Sequence, residues 1–370
     1  MKLLFFDFNI LNIINNRKVG VGGATIQAYN WIQGLLANGI DIGIIVEDVC
    51  DDTSKALNID CIKSYNNKVG VFPLNWIYYR YGSLKKAIKN YRPDYVYQAG
   101  AGFITFVLSR ICKKQNIHFI HRIANDVDVD KRIKSRLSPL KWILYNNGLK
   151  NSTVILCQNN YQLKCLKTKF PFKKLLKIHN PYKFDNISYK IKSLSQRKYV
   201  AWLGIFQYQK NLPVLLKIVK KLSHVQFHIG GIPSSNIDKA TLNTIKLLRS
   251  CKNVTFIGFV KRSEIGQFLG KAYALLNTSY YEGFSNTFLE SFAAGTPVIT
   301  VSNVDPDQII EKNGLGLIGN DYNDLPNLIS KIIKYDQYDM LCSKCIDYIR
   351  DNHNSEVLSK KLLEFLKSNN

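Results

Sequence analysis

The sequence predicts an α/β chain folded as two Rossmann-like domains with a cleft between them, and three observations predict it. Apolar runs of five to seven residues alternate with longer stretches of helical spacing, the mark of strand–helix units and parallel sheets. The pattern lapses in a polar, aperiodic stretch that ends at residue 198, and then restarts. The 370 residues are the length of two domains at about 100–200 residues each. In the first half, strands are expected at 2–8, 40–46, 95–98, 118–123 and 153–157. A long helix opens just after Gly22-Gly23 and ends at Gly39, with Ile26, Tyr29, Ile32, Leu35 and Leu36 on one face. In the second half, strands are expected at 199–203, 225–229, 254–259, 274–277 and 297–301, with helices such as 212–222 and 286–294 between them. The domains then read as 1–183 and 198–354, joined by a linker at 184–197 and followed by an amphipathic closing helix at 355–370. Ligands of such sheets sit at the carboxyl ends of the strands, which makes the interdomain cleft the expected site.

Composition narrows the class further. Gly and Pro are too few for a collagenous or low-complexity chain. Eight cysteines without regular spacing read as thiols of a reducing compartment, and Cys342-x-x-Cys345 lacks the second pair that a zinc site needs. The first residues, MKLLFFDFNIL, are broken by Asp7 and read as a buried strand rather than a signal peptide. No run of about 18 apolar residues is long enough to span a bilayer. The expected compartment is the cytoplasm.

The net charge is +24, and it is concentrated: residues 131–184 hold thirteen Lys and Arg and no Asp or Glu. Within that segment cations are interleaved with Trp142 and Tyr145. This suits an anionic membrane surface with the aromatics at head-group level. It also suits single-stranded nucleic acid, and a solvated basic face is the plain alternative. No nucleic-acid motif accompanies the charge, so nucleic acid is not expected as a partner.

The most informative stretch runs from Tyr280 to Pro297, YYEGFSNTFLESFAAGTP. A strand ends, a Gly-containing loop intervenes, and Ser285 stands as N-cap of a helix closed by Gly295. Free N–H groups at such a helix start suit an anion such as a diphosphate. Glu282 falls in the loop and Glu290 in the second turn of the helix. By residue chemistry alone each is either a ligand of a sugar or ribose, or a solvated or dipole-complementing acid.

Glu-Gly-Phe, a second Glu eight residues after the first, and Ala-Gly-Thr-Pro-Val-Ile together resemble the hallmark of the family-four retaining glycosyltransferases. The resemblance extends to Gly22-Gly23-Ala24, to Trp202-Leu203-Gly204 with Lys210-Asn211-Leu212, to Asn253–Gly258, and to Gly314-Leu315-Gly316, nearly the full chain. It implies the GT-B architecture of two facing Rossmann-like domains. By the same resemblance, Glu290 would bind the nucleotide ribose; Lys210 and Glu282 are catalytic candidates, Lys210 binding the diphosphate and stabilising the charge that builds on the leaving group. Glu282, with the backbone N–H groups of Phe284, Ser285 and Asn286, would hold donor-sugar hydroxyls and phosphate oxygens. Gly204 and the Gly22-Gly23 turn would line the donor site. The family commonly carries Arg directly after the Gly of this strand, whereas this chain has Ile205; Gln207, Gln209 or a more distant cation is left to replace it.

In the first domain, His121, Arg122 and Asp126 end a strand where family members place polar groups near donor sugar and acceptor. His121 is a catalytic candidate, Arg122 and Asp126 acceptor-side ones. A histidine on an apolar strand is as readily a core residue. Asp126-Val-Asp128-Val-Asp130 invites comparison with the Asp-x-Asp metal motif of the other glycosyltransferase architecture. The resemblance to the metal-independent architecture argues against it, so neither metal nor cofactor is expected. Gly20-x-Gly22-Gly23 lies too far past the first strand, and without a ribose-binding acid, for a dinucleotide fingerprint.

The expected activity is retaining transfer, of hexosyltransferase type, from a nucleoside diphosphate sugar to an acceptor hydroxyl. The expected acceptor is a saccharide or lipid-linked saccharide in bacterial surface polysaccharide assembly, with the enzyme at the inner face of the membrane. The alternatives are a nucleotide-sugar epimerase or phosphorylase on the same fold, and a non-enzymatic basic nucleic-acid-binding protein.

Overall fold

The computed structural model describes residues 1–15, 17, 19–49, 58–184 and 191–368. The chain forms two compact units: Met1–Arg17, Gly23–Lys183 and Ser355–Asn370 make the first, Lys18–Gly22 and Phe184–Asn354 the second.

The first unit is built on seven parallel strands: β1 (Lys2–Phe5), β2 (Asp41–Val46), β3 (Ile59–Lys63), β4 (Tyr95–Ala99), β5 (His118–Arg122), β6 (Val154–Cys157) and β7 (Lys174–Lys177). Their order is β3-β2-β1-β4-β5-β6-β7. The strands read as apolar runs because both faces of the sheet are covered. Alternation sorts them: Leu3 and Phe5 join the core under helix Gly23–Ala37, and Leu4 joins the opposite core with Leu84, Val107 and Leu108. Helix Gly23–Ala37 is buried more widely than its single expected stripe. Thr25, Ala28, Trp31, Ile32 and Leu35 are all covered, because the C-terminal helix Ser355–Ser368 lies across it. The two helices meet so closely at Gly34 that a Cβ there would stand 2.2 Å from the Ser355 carbonyl oxygen.

The second unit has six parallel strands: β8 (Tyr199–Leu203), β9 (Phe227–Gly230), β10 (Val254–Gly258), β11 (Ala272–Leu276), β12 (Val298–Val301) and β13 (Gly316–Gly319), in the order β10-β9-β8-β11-β12-β13. In each sheet the strand order reverses once, at β1/β4 and at β8/β11, and such switch points open a crevice at the carboxyl ends.

Three strands are not visible in the sequence pattern. Edge strands β3 and β7 carry charged residues and are only half-buried, so no apolar run announces them. Strand β13 is a Gly-Leu-Ile-Gly tetrapeptide whose Gly316 lies so tightly against β12 that a Cβ would fall 1.8 Å from the Val298 oxygen. The first strand stops at Phe5 rather than at residue 8, which leaves Asp7 just beyond its carboxyl end.

Of the expected linker 184–197, residues 185–190 lie outside the described residues. Its last residue, Arg197, is buried in the second unit. Its guanidinium donates to the carbonyls of Lys192, Ala272 and Gly295 and to Thr296 Oγ1, and stacks over Tyr338. Cys342 and Cys345 are buried thiols one helical turn apart in Tyr338–His353. Among the described residues no helix is long and apolar enough to cross a membrane.

Candidate functional site

The two strands that flank the switch point of the second sheet each deliver one charged residue. The loop after β8 carries Lys210 and the loop after β11 carries Glu282; Lys210 Nζ lies 2.6 Å from Glu282 Oε1. Both keep partial solvent contact, with 14% and 9% of their side chains exposed. Ser279 Oγ donates to the same carboxylate oxygen at 2.7 Å, and Gln209 Nε2 reaches Oε2 at 3.3 Å and the Tyr281 carbonyl at 2.8 Å. Thr278 ties the loops together: its hydroxyl donates to the Lys210 carbonyl and accepts from the Trp202 indole. The lysine stem runs along Gly204, where a Cβ would touch Cε at 3.4 Å. Gly204 is fixed from behind by Gly231, whose φ of +138° and missing side chain let the Gly204 carbonyl approach within 1.8 Å of where a Cβ would be.

From Glu282 the chain enters helix Asn286–Ala293. Ser285 occupies the N-cap position as expected, but its hydroxyl pairs with Thr287 Oγ1 at 2.9 Å instead of capping a backbone N–H. The Phe284 ring turns inward against Phe288 and His353, so any contact it offers outward is through its backbone. Glu290 is buried on this helix. Burial pushes its carboxyl up to about 7, against the opposing field of Arg262.

At the carboxyl edge of the first sheet, polar residues are drawn inward. His121 is fully buried; its Nδ1 lies 2.9 Å from Gln98 Oε1 and its Nε2 3.4 Å from the Tyr145 hydroxyl. An amide oxygen can only accept, so Nδ1 carries the proton and Nε2 accepts. Burial holds the ring's pKa down at about 3, so it is neutral. A ring held in this way has the packing of a core histidine. Arg122 is likewise buried, hydrogen-bonded to Asn180 Oδ1 and stacked over Trp31. Asp126 accepts from the side chains of Asn159 and Gln162 and is pushed up to about 6 by burial.

The alternating acids do not converge. Asp128 pairs with Arg136 and Asp130 with Arg132, and among the described residues no cluster of three His, Cys, Asp or Glu is placed to hold an ion. The two expected head-group aromatics differ in burial. Tyr145 is core, because its hydroxyl reaches His121, and Trp142 is flanked by Lys134 and Lys169 at 5.0 and 5.8 Å. Gly22 and Gly23 differ from the packed glycines: a Cβ on Gly22 would meet nothing within 4 Å, and Gly23 begins its helix.

Comparison with known proteins settles the family. Residues 183–352 match the family described as glycosyl transferases group 1, and residues 21–185 match glycosyltransferase family 4, so the two matches together run through both units. The chain belongs to the group 1 glycosyltransferases. An uncharacterised glycosyltransferase of Methanocaldococcus jannaschii is 24% identical over 327 residues, 80% of this chain and 81% of that one. Among solved structures, HepE of Anabaena with UDP and glucose aligns with a TM-score of 0.77 at 14% identity over the whole of both chains. Sucrose-phosphate synthase of Thermosynechococcus elongatus aligns with a TM-score of 0.74 at 13% identity, over 100% of this chain and 98% of that one. These solved structures share the two-sheet GT-B fold.

Most of the other residues around Lys210, Glu282 and Glu290 carry no mark in the sequence. Ser279 and Gln209 complete the hydrogen bonds of Glu282, and Arg262 is the cation opposing Glu290. Tyr208 and Tyr280 stack at 5.0 Å beside the lysine–glutamate pair, with Tyr208 largely exposed. Gln209, a candidate substitute for the missing Arg, does reach the pair. The others have no local signal, because their partners lie on other segments: Ser279 and Tyr280 follow β11, Tyr208 follows β8, and Arg262 opens helix Arg262–Gly270.

Proposed function

We propose that this glycosyltransferase moves a sugar from a nucleoside diphosphate to an acceptor hydroxyl with retention of configuration. One observation carries the reading: a lysine and a glutamate from two separate loops meet at the switch point of the second sheet, above a glycine that leaves room beside them. In the resting site each satisfies the other's charge. A diphosphate replaces the carboxylate as partner of Lys210, which then stabilises the charge that builds on the leaving group. Glu282 is freed toward the donor-sugar hydroxyls. Glu290 accepts from the ribose, and the backbone N–H groups of Phe284, Ser285 and Asn286 take phosphate or sugar oxygens. Gly22 and Gly23 supply backbone without side chains for close approach. With no second carboxylate assigned as a nucleophile, the leaving phosphate itself accepts the acceptor proton as the new bond forms on the same face. No metal is assigned to this chemistry.

Related structures, HepE with UDP-glucose and a Staphylococcus aureus TarM variant with UDP, support a uridine diphosphate sugar as the first donor to try. The acceptor is proposed to be a saccharide or lipid-linked saccharide of a surface polysaccharide, met at the inner membrane face. The basic stretch 131–184 supports that location. Thermal unfolding with UDP-, GDP-, ADP- and CMP-sugars tests the donor site. A ligand at about 100 times its Kd stabilises by about 2.7 kcal/mol. The reading stands if one nucleotide class raises the midpoint and Glu290→Ala removes the rise, and fails if none does. The anomeric configuration of the product, read by NMR, decides retention.

A further inference from the structure

Large apolar side chains lie exposed in two short runs of the first unit. Phe72, Leu74, Ile77 and Tyr78 stand out in one, at 55%, 57%, 65% and 83% exposure, and Leu140 and Ile143 in the other, at 66% and 56%. The runs are neighbours: Lys141 Nζ lies 5.6 Å from the centre of the Phe72 ring. They are also firmly rooted. Trp76 packs edge-on against Tyr65 and Phe103, Asn75 donates to the Gly70 carbonyl, and Arg80 lies over both Tyr65 and Trp76. A rooted segment that presents its apolar side chains to water is a docking surface rather than an unpacked core.

The charge around it identifies the partner. Residues 61–93 contain seven Lys and Arg and no Asp or Glu, and residues 131–184 contain thirteen and none. Both runs of the patch fall inside these acid-free segments. The nearby acids Glu47 and Asp48 accept from the Asn67 backbone and the Tyr79 hydroxyl at the base of the segment. A second copy docked on this surface would set cations against cations. An anionic bilayer offers what the patch lacks: phosphates for the lysines and an acyl boundary for the aliphatic side chains.

We propose that the first unit docks on an anionic lipid bilayer through residues 71–78 and the start of helix Pro139–Asn151. Phe72, Leu74, Ile77, Leu140 and Ile143 enter the acyl boundary, and Lys68 and Lys141 meet the head groups. This deepens the membrane location proposed above and moves its apolar contact away from Trp142 and Tyr145.

Flotation of the full chain with phosphatidylcholine vesicles, with and without phosphatidylglycerol, tests it. The protein is expected to float with the anionic vesicles at low salt and to stay behind with the neutral ones. Leu74→Ser/Ile77→Ser should lower the partition coefficient by about tenfold or more. Lys68→Glu/Lys141→Glu should do the same without touching an apolar side chain, and Leu247→Ser, exposed on the second unit, should change nothing. Unchanged melting midpoints show that the variants fold. Wild type that fails to float, or double variants that float as well as wild type, overturn the proposal. Equally, sedimentation velocity in which Leu74→Ser/Ile77→Ser turns a dimer into a monomer assigns the patch to a second copy. Flotation that persists while no sugar nucleotide shifts the midpoint leaves the docking standing and removes the donor-site reading.

Discussion

At the carboxyl edge of the second sheet, Lys210 and Glu282 meet each other with part of each side chain in water, whereas at that of the first sheet His121 and Arg122 are sealed from it. The two sheets share the strand order around their switch points, so topology alone does not make the difference. The segments after the strands make it. After β8 and β11 come glycine-containing loops, which leave the charged ends at the surface. After β5 the chain turns under helix Pro139–Asn151, whose Tyr145 closes over the histidine. The comparison teaches that a polar residue at a strand end keeps contact with water only if the next loop leaves it a face.

Four experiments would break or sharpen the comparison. The largest effect is expected from Lys210→Ala. Removing the cation proposed to stabilise the leaving group should slow consumption of the sugar nucleotide by about 10²–10³-fold while the melting midpoint moves little; an unchanged rate would remove that proposed role. His121→Ala should do the reverse. It empties a fully buried site and takes a partner from Gln98 and Tyr145, a loss of about 2–4 kcal/mol in denaturant unfolding, with the nucleotide-induced shift retained. Full stability with lost turnover would return His121 to the catalytic groups.

Glu290→Gln is the third. The folded carboxyl titrates near 7 against a reference of 4.5, so the folded state holds a proton that the unfolded chain releases. Stability from this group is therefore complete below about 4.5 and falls as pH rises through about 7. Gln should flatten that slope in midpoints measured across the window. If the ribose donates to the carboxylate, sugar-nucleotide affinity in wild type also rises with pH through the same range, and the amide should abolish that rise. The smallest effect is expected from Tyr145→Phe. It removes one long hydrogen bond to His121 Nε2, costs about 1 kcal/mol in the unfolding free energy and leaves turnover unchanged.

The central strands were legible because a parallel strand covered on both faces must be continuously apolar, as Val154–Cys157 is. Edge strands Ile59–Lys63 and Lys174–Lys177 were not, since half-burial lets charged residues into them. Lys210, Glu282 and Glu290 were visible as residues with chemistry in a patterned context. Their arrangement was not, because Ser279 looks like an ordinary loop polar, and Gln209 is one candidate among several, until the loops are brought together. Tyr145 shows the opposite error: beside basic residues it looks like a surface aromatic, yet it is in the core, while Trp142 one turn away does lie among lysines. The apolar side chains that do reach solvent, from Phe72 to Tyr78, have no periodicity to mark them as exposed.

By itself the sequence determined the alternation of strand and helix and the restart that makes two units. These are set by local pattern and sterics, which act over a few residues. Tertiary structure alone decided which charges meet, which histidine is sealed, and where apolar surface is left bare. Burial, desolvation and pairing depend on segments tens of residues apart: Lys210 and Glu282 are 72 positions apart in the chain and 2.6 Å apart in the fold.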